Sequence, residues 1–149
     1  MMNKFTSALS LLVFGSSLAL ADSRFAELRS HAARVEKDNL ELAKMLKAKQ
    51  FDTAQVKDKL AATGQDLEKI NALVADLEGH ATSLSPAAQK DWQLLREKVQ
   101  LLGIFHGVKK NLLEKDDPLK QRSLLRAHAE GVARRAALLQ QTAGRLERN

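Results

Sequence analysis

Residues 25–46 read FAELRSHAARVEKDNLELAKML, and within them Phe25, Leu28, Ala32, Val35, Asn39, Leu42 and Leu46 recur at alternating steps of three and four. Because a helix turns once in about 3.6 residues, that spacing gathers all seven on one stripe. Asn39 is the only polar member. A helix with such a stripe must lay it against other helices, so the rest of the chain has to supply them.

Three further seams follow. Asp52 or Thr53 is placed to cap a second helix, with Gln55 three residues after Asp52 in the manner of a capping box. Its seam runs Val56, Leu60, Thr63, Leu67, Ile70, Val74, Leu77, Ala81 and Leu84. Ser85-Pro86 then supplies a cap followed by proline at the first helical position, where a missing N–H leaves no bond unmade. The third seam runs Trp92, Leu95, Val99 and Leu102; after it the apolar residues come one position early, at Phe105, Val108 and Leu112, which predicts a slip of register inside that helix. The acidic stretch before Pro118 marks the last break. Leu125, Ala129, Val132, Ala136, Leu139, Ala143 and Leu146 form the fourth seam.

The spacing therefore predicts helices over about 23–49, 53–83, 86–114 and 118–147. Short links favour antiparallel neighbours, so the expected fold is all-α, an up-down-up-down antiparallel four-helix bundle roughly 40 Å long at about 1.5 Å per residue. The rival architecture is a pair of extended hairpins that close a core by dimerising. Composition agrees with helix throughout. The chain has 2 prolines, 7 glycines, one Trp and no Tyr, so its core is built mainly from Leu, Ala, Val and Ile.

Ahead of the first seam stands a different kind of segment. Lys4 is followed by an apolar run from Leu9 to Leu20, interrupted at Gly15-Ser16-Ser17, and then by Ala19-Leu20-Ala21 before Asp22. A basic start, a short apolar middle and small residues at the two positions a signal peptidase inspects make the three-part secretory pattern. The run falls short of the roughly 20 residues needed to span a bilayer. The expectation is a signal peptide over 1–21, cut between Ala21 and Asp22, and a mature domain over 22–149 in the bacterial periplasm or outside the cell. The chain has no cysteine, which excludes a lipoprotein acylation site, a disulfide framework, a thiolate nucleophile and covalent haem attachment.

Charge is unevenly placed. Between residues 22 and 117 basic and acidic side chains cancel, whereas after 117 Lys120, Arg122, Arg126, Arg134, Arg135, Arg145 and Arg148 face only Glu130 and Glu147. Arg126, Arg134 and Arg135 are the candidates for holding an anionic envelope component, against the simpler reading of a solvated helix face. Nucleic acid is not an expected partner for an exported protein.

Histidines are the other candidates, since bundles hold haem and metals between facing helices. His106 and His128 each lie eleven residues from Asp117, which places them at one height if the chain turns there. Together they would ligate haem, or a divalent metal if a carboxylate joined them; the competing reading is a partly buried pair bonded to backbone, to solvent or to each other. His31 and His80 fall at different heights and each follows a carboxylate by four residues, Glu27 and Asp76, the spacing of a surface pair. No Glu-x-x-His occurs, and Met45 with His128 matches poorly the Met and His ligands of the haem-binding bundle cytochrome.

Gly103 and Gly107 bracket Ile104-Phe105-His106, at a cost of about 1 kcal/mol each within a helix. They predict close packing, a kink or room for a ligand. No phosphate-cradling loop, Gly-x-Ser-x-Gly or His-Glu-x-x-His appears, so the expectation is a protein that is not an enzyme. Residues Leu84 to Gln89 resemble the Leu-Thr-x-x-Gln motif of small periplasmic stress chaperones over six positions, with Ser85 in place of Thr and Gln89 one residue late. A capping sequence has the same form. The functional expectation is a protein that acts through its helix faces, by binding an unidentified protein partner or by self-association, as a scaffold or chaperone-like binder.

Overall fold

A computed structural model describes the backbone of residues 4–115, 117 and 120–149, and the side chains of residues 21–114, 117 and 120–149. The described residues form four α-helices and no strand: α1 (Lys4–Met45), α2 (Thr53–Ala81), α3 (Pro86–Lys115) and α4 (Arg122–Glu147). Residues 1–3 and the side chains of residues 4–20 lie outside the described set, and with them most of the predicted signal segment. Pro118, expected to open the last helix, also lies outside it.

The helix boundaries follow local chemistry. Asp52 caps α2, its side chain accepting from the Ala54 amide at 2.8 Å. Ser85 Oγ accepts from the Ala88 amide at 3.2 Å, and the Gln89 side chain donates to the Leu84 carbonyl at 3.1 Å, so Leu84–Gln89 is the cap that opens α3. Gln121 precedes α4 without a side-chain cap bond. Relative to expectation α1 starts nineteen residues earlier, at Lys4, and stops four earlier, at Met45, and α4 starts four later, at Arg122.

Each helix packs on two neighbours. α1 lies against α2 and α4, α3 lies against the same two, and the diagonal pairs make no close backbone approach. Side-chain contacts at two levels show that neighbours run antiparallel: Asp38 with Lys59 and His31 with Asp66, Glu78 with Arg96 and Gly64 with His106, Asp91 with Arg145 and Phe105 with His128, Arg29 with Glu147 and Glu36 with Gln140. α1 and α4 approach most closely and α2 and α3 least. Small residues explain the first: Ala129, Gly131, Ala133, Ala136, Ala143 and Gly144 are buried along α4.

The first and fourth seams are buried at every position named from sequence. The third is not as expected. Its three-and-four stepping continues unbroken past Leu102, and the next positions are taken by His106 and Lys109, while Val108 is 38% exposed and Phe105 turns toward α4. There is no slip of register: the stripe keeps its geometry and changes its chemistry.

The core accordingly has two parts. An upper cluster includes Phe25, Leu28, Val35, Ile70, Trp92, Leu95, Leu139 and Leu146. A lower one holds Leu42, Leu46, Val56, Leu60, Leu125 and Ala129. Between them lies a polar layer. Asn39 donates to the Val35 carbonyl at 2.8 Å and to Thr63 Oγ1 at 3.1 Å, Thr63 donates to the Lys59 carbonyl at 3.0 Å, and Lys109 Nζ donates to Asn39 Oδ1.

A Cβ added at Gly103 or Gly107 would meet nothing within 4 Å, so close packing does not account for either glycine. Gly107→Ala is expected to raise stability by about 1 kcal/mol through helix propensity alone, read by urea denaturation.

Candidate functional site

His106 occupies the side of α3 that faces α2. A Cβ built on Gly64 would come within 3.2 Å of His106 Nε2, so glycine at 64 is what lets the ring seat. Beside it the loose α2–α3 packing leaves a groove of about 540 Å³, with Leu60, Ala61 and Leu113 as its apolar part and Lys57, Lys110 and Glu68 among its charged rim. His106 Nδ1 is enclosed and has no hydrogen-bond partner among the described residues. Burial, then the nearby Lys109 and Lys110, hold its pKa down at about 4, so the ring is neutral at physiological pH.

His128 sits elsewhere. Its ring packs on Phe105 with centroids 5.8 Å apart, on the side of α3 that faces α4. Burial, then Lys109, lowers its pKa. The hairpin does bring the two histidines to similar heights, but His106 is turned to Gly64 and His128 to Phe105. Among the described residues no cluster of three or more His, Asp or Glu side chains is arranged to hold a metal ion.

The basic candidates on α4 are also divided. Arg126 lies 3.7 Å from Glu130. Arg135 places its guanidinium 3.9 Å over the Phe105 ring and donates to the Gly131 carbonyl at 3.1 Å, which commits it to the α3–α4 interface. Arg134 is exposed. They do not form one patch.

His31 departs from the surface pair expected with Glu27. It is 4% exposed, and its Nδ1 lies 2.6 Å from Asp66 Oδ1 on α2, with Arg34 Nε donating to the same oxygen at 3.1 Å; Glu27 is 3.8 Å away. α1 ends at Met45, four residues before the expected Lys49, which moves the turn toward the N-terminus and brings His31 level with Asp66.

The surface carries a feature that the core seams concealed. Leu94, Leu101, Ile104 and Val108 are 40%, 43%, 55% and 38% exposed. Leu94, Leu101 and Val108 stand seven residues apart with Ile104 between, a second apolar stripe on α3 outside its core seam. The stripe borders Asp91 and Phe105, the residues that α3 turns to α4. On α4, Leu124 and Leu138 are 45% and 48% exposed and border His128 and Arg135, which α4 turns to α3. The outer side of the α3–α4 hairpin is thus an apolar face of six large side chains. Its heptad spacing is present in the sequence beside the core seam, and burial distinguishes the two.

No family model, no curated protein and no solved structure matches this chain. No described helix is long and apolar enough to cross a membrane.

Proposed function

We propose that this chain is exported to the bacterial envelope and acts there as a non-catalytic helical-bundle module that self-associates through the outer face of its α3–α4 hairpin. The observation that carries the reading is that face, Leu94, Leu101, Ile104 and Val108 with Leu124 and Leu138. Large apolar side chains gathered on one side of a folded domain mark an interaction surface, whereas single ones do not. A heptad stripe is self-complementary, because two copies related by a two-fold axis near Leu101 set Leu94 of one against Val108 of the other. A second copy of the chain is therefore the occupant assigned to it.

Burying the exposed half of each side chain contributes about 1 kcal/mol. Summed over both copies this is comparable to the free energy lost when two proteins associate, roughly 4–15 kcal/mol. The dimer should be reversible, with a dissociation constant on the order of micromolar or weaker. Export rests on Lys4, the apolar run to Leu20 and Ala19-Leu20-Ala21.

Sedimentation equilibrium over a concentration series tests the pairing. The unmodified protein should shift from monomer to dimer, and Leu101→Glu with Ile104→Glu should stay monomeric with unchanged helix content. A monomer at all concentrations contradicts the proposal. N-terminal sequencing of the protein recovered from the periplasm should begin at Asp22; an uncut chain in the cytosol contradicts export.

A further inference from the structure

Lys109 heads the largest fully buried side chains of the core, ahead of every leucine there. Its single bond, to Asn39 Oδ1, crosses from α3 to α1 between helices that otherwise make no close approach. It makes no ion pair among the described residues, and the carboxylates beside the layer on α1 and α2 are engaged elsewhere. On α1, Asp38 and Glu41 are held by Lys59; on α2, Asp66 is held by His31 and Arg34, while Glu68 of α2 and Glu114 of α3 line the α2–α3 groove and offer the ammonium a negative charge there. Its own helix adds His106 and Lys110, and α4 adds His128 and Arg135, the latter stacked on Phe105. A buried ammonium needs a compensating charge or water, and among the described residues Lys109 has no ion-pair partner in the closed layer.

Two features of α3 give that ammonium somewhere to go. His106 and Lys110, which flank Lys109 on the helix, both line the groove against α2, so a modest turn of α3 brings Lys109 toward water. Gly103 and Gly107, whose lack of a side chain serves no packing purpose, precede it by six and two residues and weaken the helix there. The layer they adjoin is also the boundary between the two core clusters.

We propose that the Lys109–Asn39–Thr63 layer is a proton-operated latch: the neutral amine stays closed on Asn39, and uptake of a proton from solvent drives the ammonium toward the α2–α3 groove, loosening α3 beyond Gly107. Burial lowers the Lys109 pKa to about 7, which sets the working range. From the ordinary lysine value of 10.5 down to about 7 the opened layer binds a proton that the closed one does not. Opening therefore becomes about tenfold easier for each unit of falling pH in that range, and levels off below it.

Hydrogen exchange of amides 108–114 in the purified protein, corrected for the intrinsic rate at each pH, tests the latch. The expected result is a rise in opening of about fiftyfold between pH 9 and pH 7, absent in Lys109→Met. Gly107→Ala, with Lys109 intact, should slow opening about fivefold at every pH and keep the slope. The same slope in Lys109→Met, a flat profile with Lys109 intact, or an opening rate indifferent to Gly107→Ala would each overturn the proposal. Because Val108 belongs to the proposed pairing face, the exchange is measured in the monomeric Leu101→Glu, Ile104→Glu background, which separates the latch from self-association.

Discussion

Lys109→Met is expected to stabilise the fold by about 2 kcal/mol at pH 7, an unusual direction for a substitution at a fully buried position. Two opposed effects decide the sign. A fall in pKa from 10.5 to about 7 corresponds to roughly 4–5 kcal/mol of unfavourable burial of the charge, at about 1.4 kcal/mol per unit. Against this, Asn39 Oδ1 loses its donor, and a buried acceptor left unpaired costs about 1–3 kcal/mol. Methionine keeps the length and apolar stem of the side chain, so no cavity is added. The gain exceeds the loss.

The pH profile carries the same information with its own sign. Between pH 7 and 10.5 the unfolded chain holds a proton on Lys109 that the folded chain has released, so stability rises with pH across that window and is flat below it. His106 adds a second window of the same direction, from its folded value of about 4 to the ordinary 6.5. Urea denaturation at pH 7 and 9.5 should show the unmodified protein gaining roughly 3 kcal/mol. Lys109→Met should lack that gain and keep the acid-side loss due to His106.

Trp92→Ala is expected to be the most damaging single truncation, at about 3–5 kcal/mol. Trp92 is 4% exposed and meets the Phe25 ring edge-on at 6.2 Å, tying α3 to the start of the upper core. Its indole Nε1 is buried without a partner, and such a donor is itself unfavourable by about 1–3 kcal/mol. Trp92→Phe removes that donor along with some volume, so its cost should be about 1 kcal/mol or less. Thermal unfolding monitored by far-UV circular dichroism separates the two. Similar losses in both variants would show that the indole finds a hydrogen bond in solution.

The bundle was legible because its seams are periodic, and periodicity is what packing against neighbours imposes. Every residue from Phe25 to Leu46 in the first stripe is buried, Asn39 included. What sequence could not supply was the chemistry at positions where geometry and hydrophobicity disagree. The stepping Trp92, Leu95, Val99, Leu102 points on to His106 and Lys109, but a lysine in a core is so unfavourable in general that Phe105 and Val108 looked like the better continuation. Asn39 was the available clue, a polar residue on an otherwise apolar stripe, and its partner could be named only once α1 and α3 faced one another. His31 shows the same limit. Glu27 lies one turn away in sequence, whereas Asp66 becomes the neighbour only because α1 ends at Met45.

The pair His106 and His128 illustrates how far a height argument reaches. Equal distance from a turn fixes the level of two side chains but leaves their azimuth open, and one step along α3 separates the side facing α2 from the side facing α4. The exposed stripe was readable in principle, since Leu94, Leu101 and Val108 keep a strict heptad. Only the burial of the other stripe shows which of the two apolar faces on α3 remains outside.

The absence of cysteine allows a direct test of the central claim, that two copies meet on the α3–α4 face. Leu101→Cys introduces a single thiol at the position where the proposed two-fold axis brings a residue against its own copy, and Lys69→Cys places one on the exposed side of α2. Under mild oxidation at micromolar protein, Leu101→Cys should run as a disulfide-linked dimer on a non-reducing gel while Lys69→Cys stays monomeric. Equal cross-linking of both variants, or of neither, would contradict the account.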